Sequence, residues 1–352
     1  MEKHEHGGDV YSYRLKADYS ANINPLGLSP HVAEVLKNSI PRVIHYPDVE
    51  CRKLRRLLAE KEQVREESLI FGNGAAELIF ALTLGLKPKK ALLAAPGFAE
   101  YEQALNACGA EISYYPLKKE NGFAVAHDYL SYLTEDLDLV FLCNPNNPTG
   151  VLIDEKLLVE ILKECEKKKI LLVLDECFNG FLDDAEERTM KPYVENSKAL
   201  FLLKAFTKLY AMPGLRLGYG ISSNREVLEQ MQSVLQPWNL SVLAQEAGIA
   251  ALEDGLYVEE ARCIVKEERR YLFRGLQSLG FKAVPPTANY VFFEGPRGLK
   301  EECLKEGYLI RDCGNYRGLC EGYYRIAVRL HKENEAFLKA LEKCAAELKQ
   351  RD

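Results

Sequence analysis

Long apolar runs are what this sequence lacks first. No stretch of its 352 residues reaches the roughly 18 consecutive apolar residues that mark a membrane-spanning helix. The opening MEKHEHGGDVYSYRLKADYS is polar and has no apolar core of the kind a secretory signal needs. No membrane association is expected, and a cytoplasmic setting is. An excess of cationic side chains is missing too: 46 Lys and Arg against 52 Asp and Glu leave a formal charge of -6, which argues against a nucleic-acid partner. Metal-ligand spacing is likewise absent. The ten cysteines contain no Cys-x-x-Cys pair, and the six histidines never fall on one helix face at a ligand spacing, so no metal is expected. Thiols inside apolar segments, such as Cys143 in LVFLCNP, read as small hydrophobes kept reduced. There is no internal repeat and no low-complexity linker.

What is present is an ordinary globular composition, 47% hydrophobic and 28% charged, with a steady alternation of short apolar runs and longer amphipathic ones. A turn-rich SANINPLGL precedes a helix capped by Ser29 with Pro30 in its first turn, and Asp48 is expected to cap DVECRKLRRLLAEKE. The apolar runs SLIF, KALLAAP, EISYYPL, DLDLVFLCNP, ILLVLDE and ALFLLKAF read as strands, with helices between them. That rhythm predicts an α/β fold with a large domain whose mostly parallel sheet is covered by helices on both faces. Beyond residue 250 a long charged helix, several short strands and a terminal helix predict a small α+β C-terminal domain. The expected divisions are an N-terminal arm and segment at 1–46 packing with the small domain, a large domain at 47–252, and the small domain at 253–352.

The chemistry is expected where strands end. Lys208 follows the strand run ALFLL, and Arg216 lies eight residues on; an amine and a guanidinium so placed suit pyridoxal phosphate, the lysine as Schiff-base partner and the arginine as phosphate clamp. From that stretch alone a solvated loop lysine reads equally well. Gly74 and Ala75 follow a strand and open a helix, where backbone N–H groups can meet a phosphate, or a simple glycine turn suffices. Asn147 lies in a stiff NPNNPTG turn. Asp175 ends a buried strand, where an ionised carboxylate needs a partner such as a protonated pyridine nitrogen, or where it caps a helix. Phe98 stacks on a ring or belongs to the core.

In this order and spacing NPNNPTG, the Asp of LDECF and TKLYAMPGLRLGY resemble the fold type I pyridoxal-phosphate enzymes, the aspartate aminotransferase superfamily, over nearly the whole chain. HGG, SANINPLG, YPD, PGFAEY, QPWNLSVLA and LIRDCGNYRGL through YYRIAVR are similar to its threonine-phosphate decarboxylases of cobalamin biosynthesis, with histidinol-phosphate aminotransferases next nearest. The resemblance implies pyridoxal 5'-phosphate bound by Gly74, Ala75, Phe98, Asn147, Asp175, Thr207, Lys208 and Arg216, with Tyr46 contributed across a homodimer interface. It implies Lys208 and Asp175 as the catalytic pair, and His6, Gly7, Asn22, Asn147, Arg311 and Arg325 as contacts to a small phosphorylated amino acid. Arg325 would take its carboxylate and Arg311 its phosphate. Two departures from aminotransferases stand out: Phe178 where a tyrosine is usual, and Lys204 and Ala205 where an arginine and a phosphate-binding serine are. The implied activity is decarboxylation of L-threonine O-3-phosphate or L-serine O-phosphate, with histidinol-phosphate transamination as the alternative. A binding module that keeps the fold without catalysis is the rival of another class.

Overall fold

The computed structural model describes residues 6–350. The expected apolar runs assemble into a seven-stranded sheet in the spatial order 69–73, 217–221, 200–205, 171–175, 139–143, 90–95 and 111–116. Only 217–221 runs against its neighbours; the other six strands point one way, as chain segments joined by crossover helices must. Leu139–Cys143 and Leu171–Asp175 are buried at every position. Their alternate residues serve opposite faces. Phe141, Val173 and Phe201 pack with Leu78, Leu82 and Leu105 of the helices Ala75–Leu86 and Ala99–Cys108. Val140, Leu172 and Leu202 pack with Leu158, Ile161 and Leu162 of Glu155–Lys168. A doubly covered sheet therefore explains strands without polar alternation.

Two elements differ from expectation. Leu217–Ile221 is a strand although GYG offers no apolar alternation. A Cβ at Gly220 would run into the Phe201 ring and one at Gly218 into the backbone of Gly74 and Ala75, so these glycines let neighbours approach the strand face. The helix expected from Asp48 begins at Arg52. Asp48 accepts the N–H groups of Glu50 at 3.1 Å and Arg52 at 2.9 Å, closing a turn before the helix, and Cys51 carries the chain through φ 50.

The second body is a four-stranded antiparallel sheet in the order 311–312, 323–327, 290–294, 282–283, backed by Gly255–Ser278 and His331–Lys349 around Phe293, Tyr324 and Phe337. Ala17–Asp18 pairs with Tyr308–Leu309 and Tyr19 stacks on Phe337 at 4.2 Å. Those contacts tie the N-terminal segment to this body. Along Gly255–Ser278, Tyr257 and Val258 belong to the larger core and Val265, Leu272 and Leu276 to the smaller; we propose that the division between the bodies runs through this helix. The ten cysteines are free thiols. Among the described residues no helix is long and apolar enough to cross a membrane, and no cluster of side chains is suited to a metal ion.

One buried charge cluster underlies the sheet. Glu62 takes Lys204 Nζ at 3.0 Å on both oxygens, the Tyr219 hydroxyl at 2.5 Å, and Lys191 at 3.4 Å. Burial alone would raise its carboxyl, but Lys204, Tyr219 and Lys191 outweigh it and hold the group below the ordinary carboxylate range. Lys204 is therefore spent on Glu62. Removing one partner leaves buried charge behind, so Glu62→Ala is expected to cost about 3 to 5 kcal/mol. The reading is a lower urea midpoint at unchanged slope, and a loss below about 1 kcal/mol, the range of an exposed pair, would refute the buried pairing.

Candidate active site

A cavity of about 660 Å³ opens at the carboxyl edge of the parallel strands, between the two bodies. Six strands delivering their ends to one edge is what converges residues far apart in sequence. Lys208 lies in the single turn Phe206–Leu209 directly after Leu200–Ala205, and its carbonyl accepts the Asn24 N–H at 3.1 Å. Burial first, then the positive fields of Arg325 and Arg216, bring its amine down to about 8. A nucleophilic neutral amine is thus accessible near neutral pH.

Asp175 ends the central strand with both oxygens engaged. One accepts the Cys177 N–H at 2.9 Å and the other the Tyr101 hydroxyl at 2.5 Å. No cation pairs with it among the described residues, and burial raises its carboxyl above the ordinary range against the pull of Cys177 and Tyr101. Such a site invites a cationic partner from outside the chain. Tyr101 is held flat on Phe141, with ring centroids 4.7 Å apart. Phe98, at the N-cap of the same helix, meets Tyr101 edge-on at 5.5 Å, and its ring lines the cavity.

Gly74 takes φ 81, and a Cβ there would run into the Arg216 guanidinium. Arg216 itself adopts φ 55 and donates to the Pro213 carbonyl at 3.3 Å. Ala75, Thr207 and Arg216 line one end of the cavity, while Gly74 shapes it from behind. This end is cationic, has small walls and meets a helix N-terminus, which fits a phosphate. Ala205 contributes only a methyl group.

At the other end Arg311 and Arg325 are cross-strand partners, and each is only 6% exposed. Arg325 donates to the Asn147 side-chain oxygen and, at 2.9 Å, to the Ser20 carbonyl, while its Nε is buried without a partner. Arg311 donates to Asn315 at 2.8 Å and lies over the Tyr316 ring. Neither arginine has a carboxylate partner among the described residues. Asn22, fully buried, leaves both side-chain polar atoms unsatisfied at the cavity wall. Gly7 lies against the Ser20 carbonyl, where a Cβ would clash, and the Gly8 N–H meets Ser20 Oγ at 2.7 Å. His6 approaches Glu100 at 3.6 Å.

Thus Phe98, Asn147, Asp175, Thr207, Lys208, Arg216, His6, Gly7, Asn22, Arg311 and Arg325 line one cavity. Tyr46 does not: it is 79% exposed and stacks on Trp238 at 4.7 Å. Phe178 packs edge-on against Tyr290 and offers the cavity no hydroxyl. Sequence reasoning passed over Tyr101, Glu100 and Ser20. Phe98 and Tyr101 are three apart on one helix face, a spacing that could have flagged the tyrosine. Glu100 looked like an ordinary first-turn acid. The residues present fit pyridoxal phosphate: an anion without a cation, an amine, and a cationic cradle that a side chain at Gly74 would fill.

Comparison with known proteins agrees with this geometry. The pattern of the family aminotransferase class I and II matches residues 16–341. Threonine-phosphate decarboxylase of Salmonella typhimurium is 38% identical over 92% of this chain and 90% of its own length. Histidinol-phosphate aminotransferase of Moorella thermoacetica is 33% identical over 93% of this chain and 85% of its own. The crystal structure of the histidinol-phosphate aminotransferase from Clostridium acetobutylicum superposes with a TM-score of 0.88 at 33% identity, covering 94% of this chain and 99% of that one. Sequence pattern, fold and cavity thus agree that this chain belongs to the aminotransferase class I and II family, an enzyme family whose cofactor is pyridoxal phosphate.

Proposed function

We propose that this protein decarboxylates an O-phosphorylated amino acid, L-threonine O-3-phosphate or L-serine O-phosphate, releasing carbon dioxide and the corresponding aminoalcohol phosphate. With threonine phosphate the product is (R)-1-amino-2-propanol phosphate, a linker in the cobamide nucleotide loop. One observation carries the reading: Arg311 and Arg325 lie side by side on adjacent strands, buried, with no carboxylate to neutralise them among the described residues. Two uncompensated guanidinium groups call for a ligand with two anionic groups, and a phosphorylated amino acid has a carboxylate and a phosphate. The 38% identity to the Salmonella decarboxylase supports the same choice.

Bound pyridoxal phosphate supplies an electron sink conjugated to the substrate α-carbon. This chain's residues decide which bond is broken. Asp175, held by Tyr101 and Cys177, would pair with the cofactor's ring nitrogen and favour its protonated form. Asn147 offers its amide to the ring oxygen, and Phe98 covers one ring face. Thr207, Gly74, Ala75 and Arg216 hold the cofactor phosphate. Lys208 would hold the cofactor through its amine. Arg325 takes the carboxylate while Arg311, His6, Gly7 and Asn22 take the substrate phosphate. Held at both ends, the substrate would have its carboxylate fixed in one orientation, which would favour breaking that bond over the others at the α-carbon. The absent hydroxyl at Phe178 removes one contact usual in transaminases.

Histidinol-phosphate transamination is the second reading, favoured by the 33% identity to aminotransferases. Product analysis separates the two. Carbon dioxide and aminopropanol phosphate are expected from threonine phosphate, whereas amino transfer to 2-oxoglutarate without carbon dioxide would overturn the decarboxylase assignment. Lys208→Ala is expected to lose turnover and the borohydride-trappable bond to the cofactor together; turnover at the wild-type rate would remove the lysine from its role. Because burial depresses the Lys208 amine to about 8, the cofactor-free protein is expected to capture pyridoxal phosphate faster as pH rises towards 8 and to level off above it. A rate still climbing towards the ordinary lysine value of about 10.4 would contradict the depressed amine.

We also infer a cytoplasmic homodimer in which Tyr46 reaches the partner's cofactor phosphate. Ile40, Val43, Ile44, Tyr46 and Val49 are exposed within one short segment, with the exposed Trp238 stacked on Tyr46, and an apolar group of this kind suits a partner surface. Gel filtration at micromolar concentration is expected to give twice the chain mass, and Tyr46→Ala to weaken cofactor retention while the dimer persists. A monomeric elution would rule the arrangement out.

A further inference from the structure

The phosphate subsite proposed above contains an acid that its cationic character does not call for. Glu100 lies in the first turn of Ala99–Cys108, between the ring-covering Phe98 and the Asp175 partner Tyr101. First-turn acids ordinarily face water and complement the helix dipole. Glu102 and Glu100 both reach the cavity instead, and Glu102 pairs there with Arg317 at 2.7 Å. Glu100 has no ion pair with an arginine or lysine among the described residues. Its side chain is 17% exposed, with one oxygen 3.6 Å from His6 Nδ1 and the other buried without any partner. Neither the fold nor the cofactor site uses it. A buried carboxyl with one orphan oxygen beside a histidine is poised to share a proton.

Resting on the reading that a phosphate ester occupies this end of the cavity, we propose that His6 and Glu100 form a proton-holding pair within the substrate's phosphate subsite, taking up one proton when a dianionic phosphate monoester binds. The charged groups sharing the cavity with Glu100 are His6 from the N-terminal arm, Glu102 on its own helix, Arg311, Arg317 and Arg325 from the small body, Lys208 after the sixth strand of the large sheet in chain order, Arg216 before the seventh, and Asp175 on the central strand. Burial pushes the Glu100 carboxyl up to about 7, against the pull of Lys208 and Arg311, with Asp175 adding to the rise. Near neutral pH the group is therefore divided between its two forms in the free protein. A phosphate dianion arriving between His6 and Arg311 opposes the ionised form, so proton binding and ester binding favour one another. Once protonated, the orphan oxygen can donate a hydrogen bond to a phosphate oxygen, and the subsite gains a donor at the moment the anion enters. Glu100 is thereby a residue that selects a phosphate ester, and it touches none of the bonds that break.

The test uses the holoenzyme and isopropyl phosphate, a monoester without amine or carboxylate that cannot react. Calorimetric titrations in two buffers of different ionisation enthalpy, between pH 7 and 8.5, stay above the ester's own second pKa of about 6. Wild type is expected to take up close to one proton per ester at the upper end of this range, with affinity falling about tenfold per pH unit above the Glu100 transition. Glu100→Gln keeps the donor but cannot titrate, and is expected to bind with no proton uptake and a flat pH profile. Binding by wild type without proton uptake, or a Glu100→Gln variant that still takes up the proton, would overturn the pair while leaving the phosphate subsite standing. No binding of isopropyl phosphate to wild type at any pH in the range would instead overturn the subsite reading on which the pair rests. Absence of uptake by wild type overturns the pair whether or not the variant folds. If it does not fold, Glu100→Asp, which keeps a titratable carboxyl, is expected to retain the uptake.

Discussion

A buried carboxylate without a cation governs the layout of this protein. Asp175 is placed by a strand with no exposed residue and is steadied by one backbone N–H and one tyrosine hydroxyl. These hydrogen bonds keep the group tolerable but leave its charge uncompensated. Around it stand Lys208, Arg216, Arg311 and Arg325, also without carboxylate partners among the described residues. The folded protein therefore holds one buried anion and several buried cations in a single cavity, unneutralised by one another among the described residues. Holding these charges apart in a protected cavity costs stability and preorganises the chemistry.

The two bodies supply different parts of that pattern. Parallel strands bring Asp175, Asn147, Lys208 and the Gly74 turn to one edge, the half of the cavity proposed for the cofactor. The antiparallel pair 311–312 and 323–327 brings two arginines together in the half proposed for the substrate. Hydrogen bonds knit the halves across the cavity. The Tyr290 hydroxyl donates to the Asn146 carbonyl at 2.7 Å and Thr287 donates to Gly150 at 2.6 Å, while the Asn289 amide donates to the Asn22 carbonyl at 3.0 Å and fixes the N-terminal segment to the small body. The arm contributes through Ser20, whose carbonyl receives Arg325 and whose hydroxyl receives the Gly8 N–H.

Lys204 and Phe178 show how a departure in sequence becomes physical. Lys204 is turned from the cavity to a buried acid, Glu62, so its replacement of an arginine does not alter the cradle directly. Ala205, one residue on, does face the cavity and leaves Thr207 and Arg216 to hold a phosphate there. Phe178 fills its place by packing on Tyr290, an apolar contact where a hydroxyl would have pointed at the ring.

Local sequence determined the strand and helix rhythm, because uninterrupted Val, Leu and Ile runs of four to seven residues can be buried only in a doubly covered sheet. It also determined the motif-bearing residues Lys208, Asp175, Asn147 and Arg216, which lie at strand ends where the period breaks. It could not show the strand 217–221, because glycines that admit a neighbouring ring have no signature of their own along the chain. Nor could it show that Tyr101 supports Asp175 or that Glu100 meets His6: these partners are 74 and 94 residues apart in the chain, and their meeting depends on how a helix face turns towards a sheet edge and an arm. Asp48 misplaced a helix start for the same reason, since a turn and a cap use one hydrogen-bonding group alike. Distance along the chain carries no charge or shape, so the pairing of side chains into a site was decided only when the strands closed their register and the two bodies met.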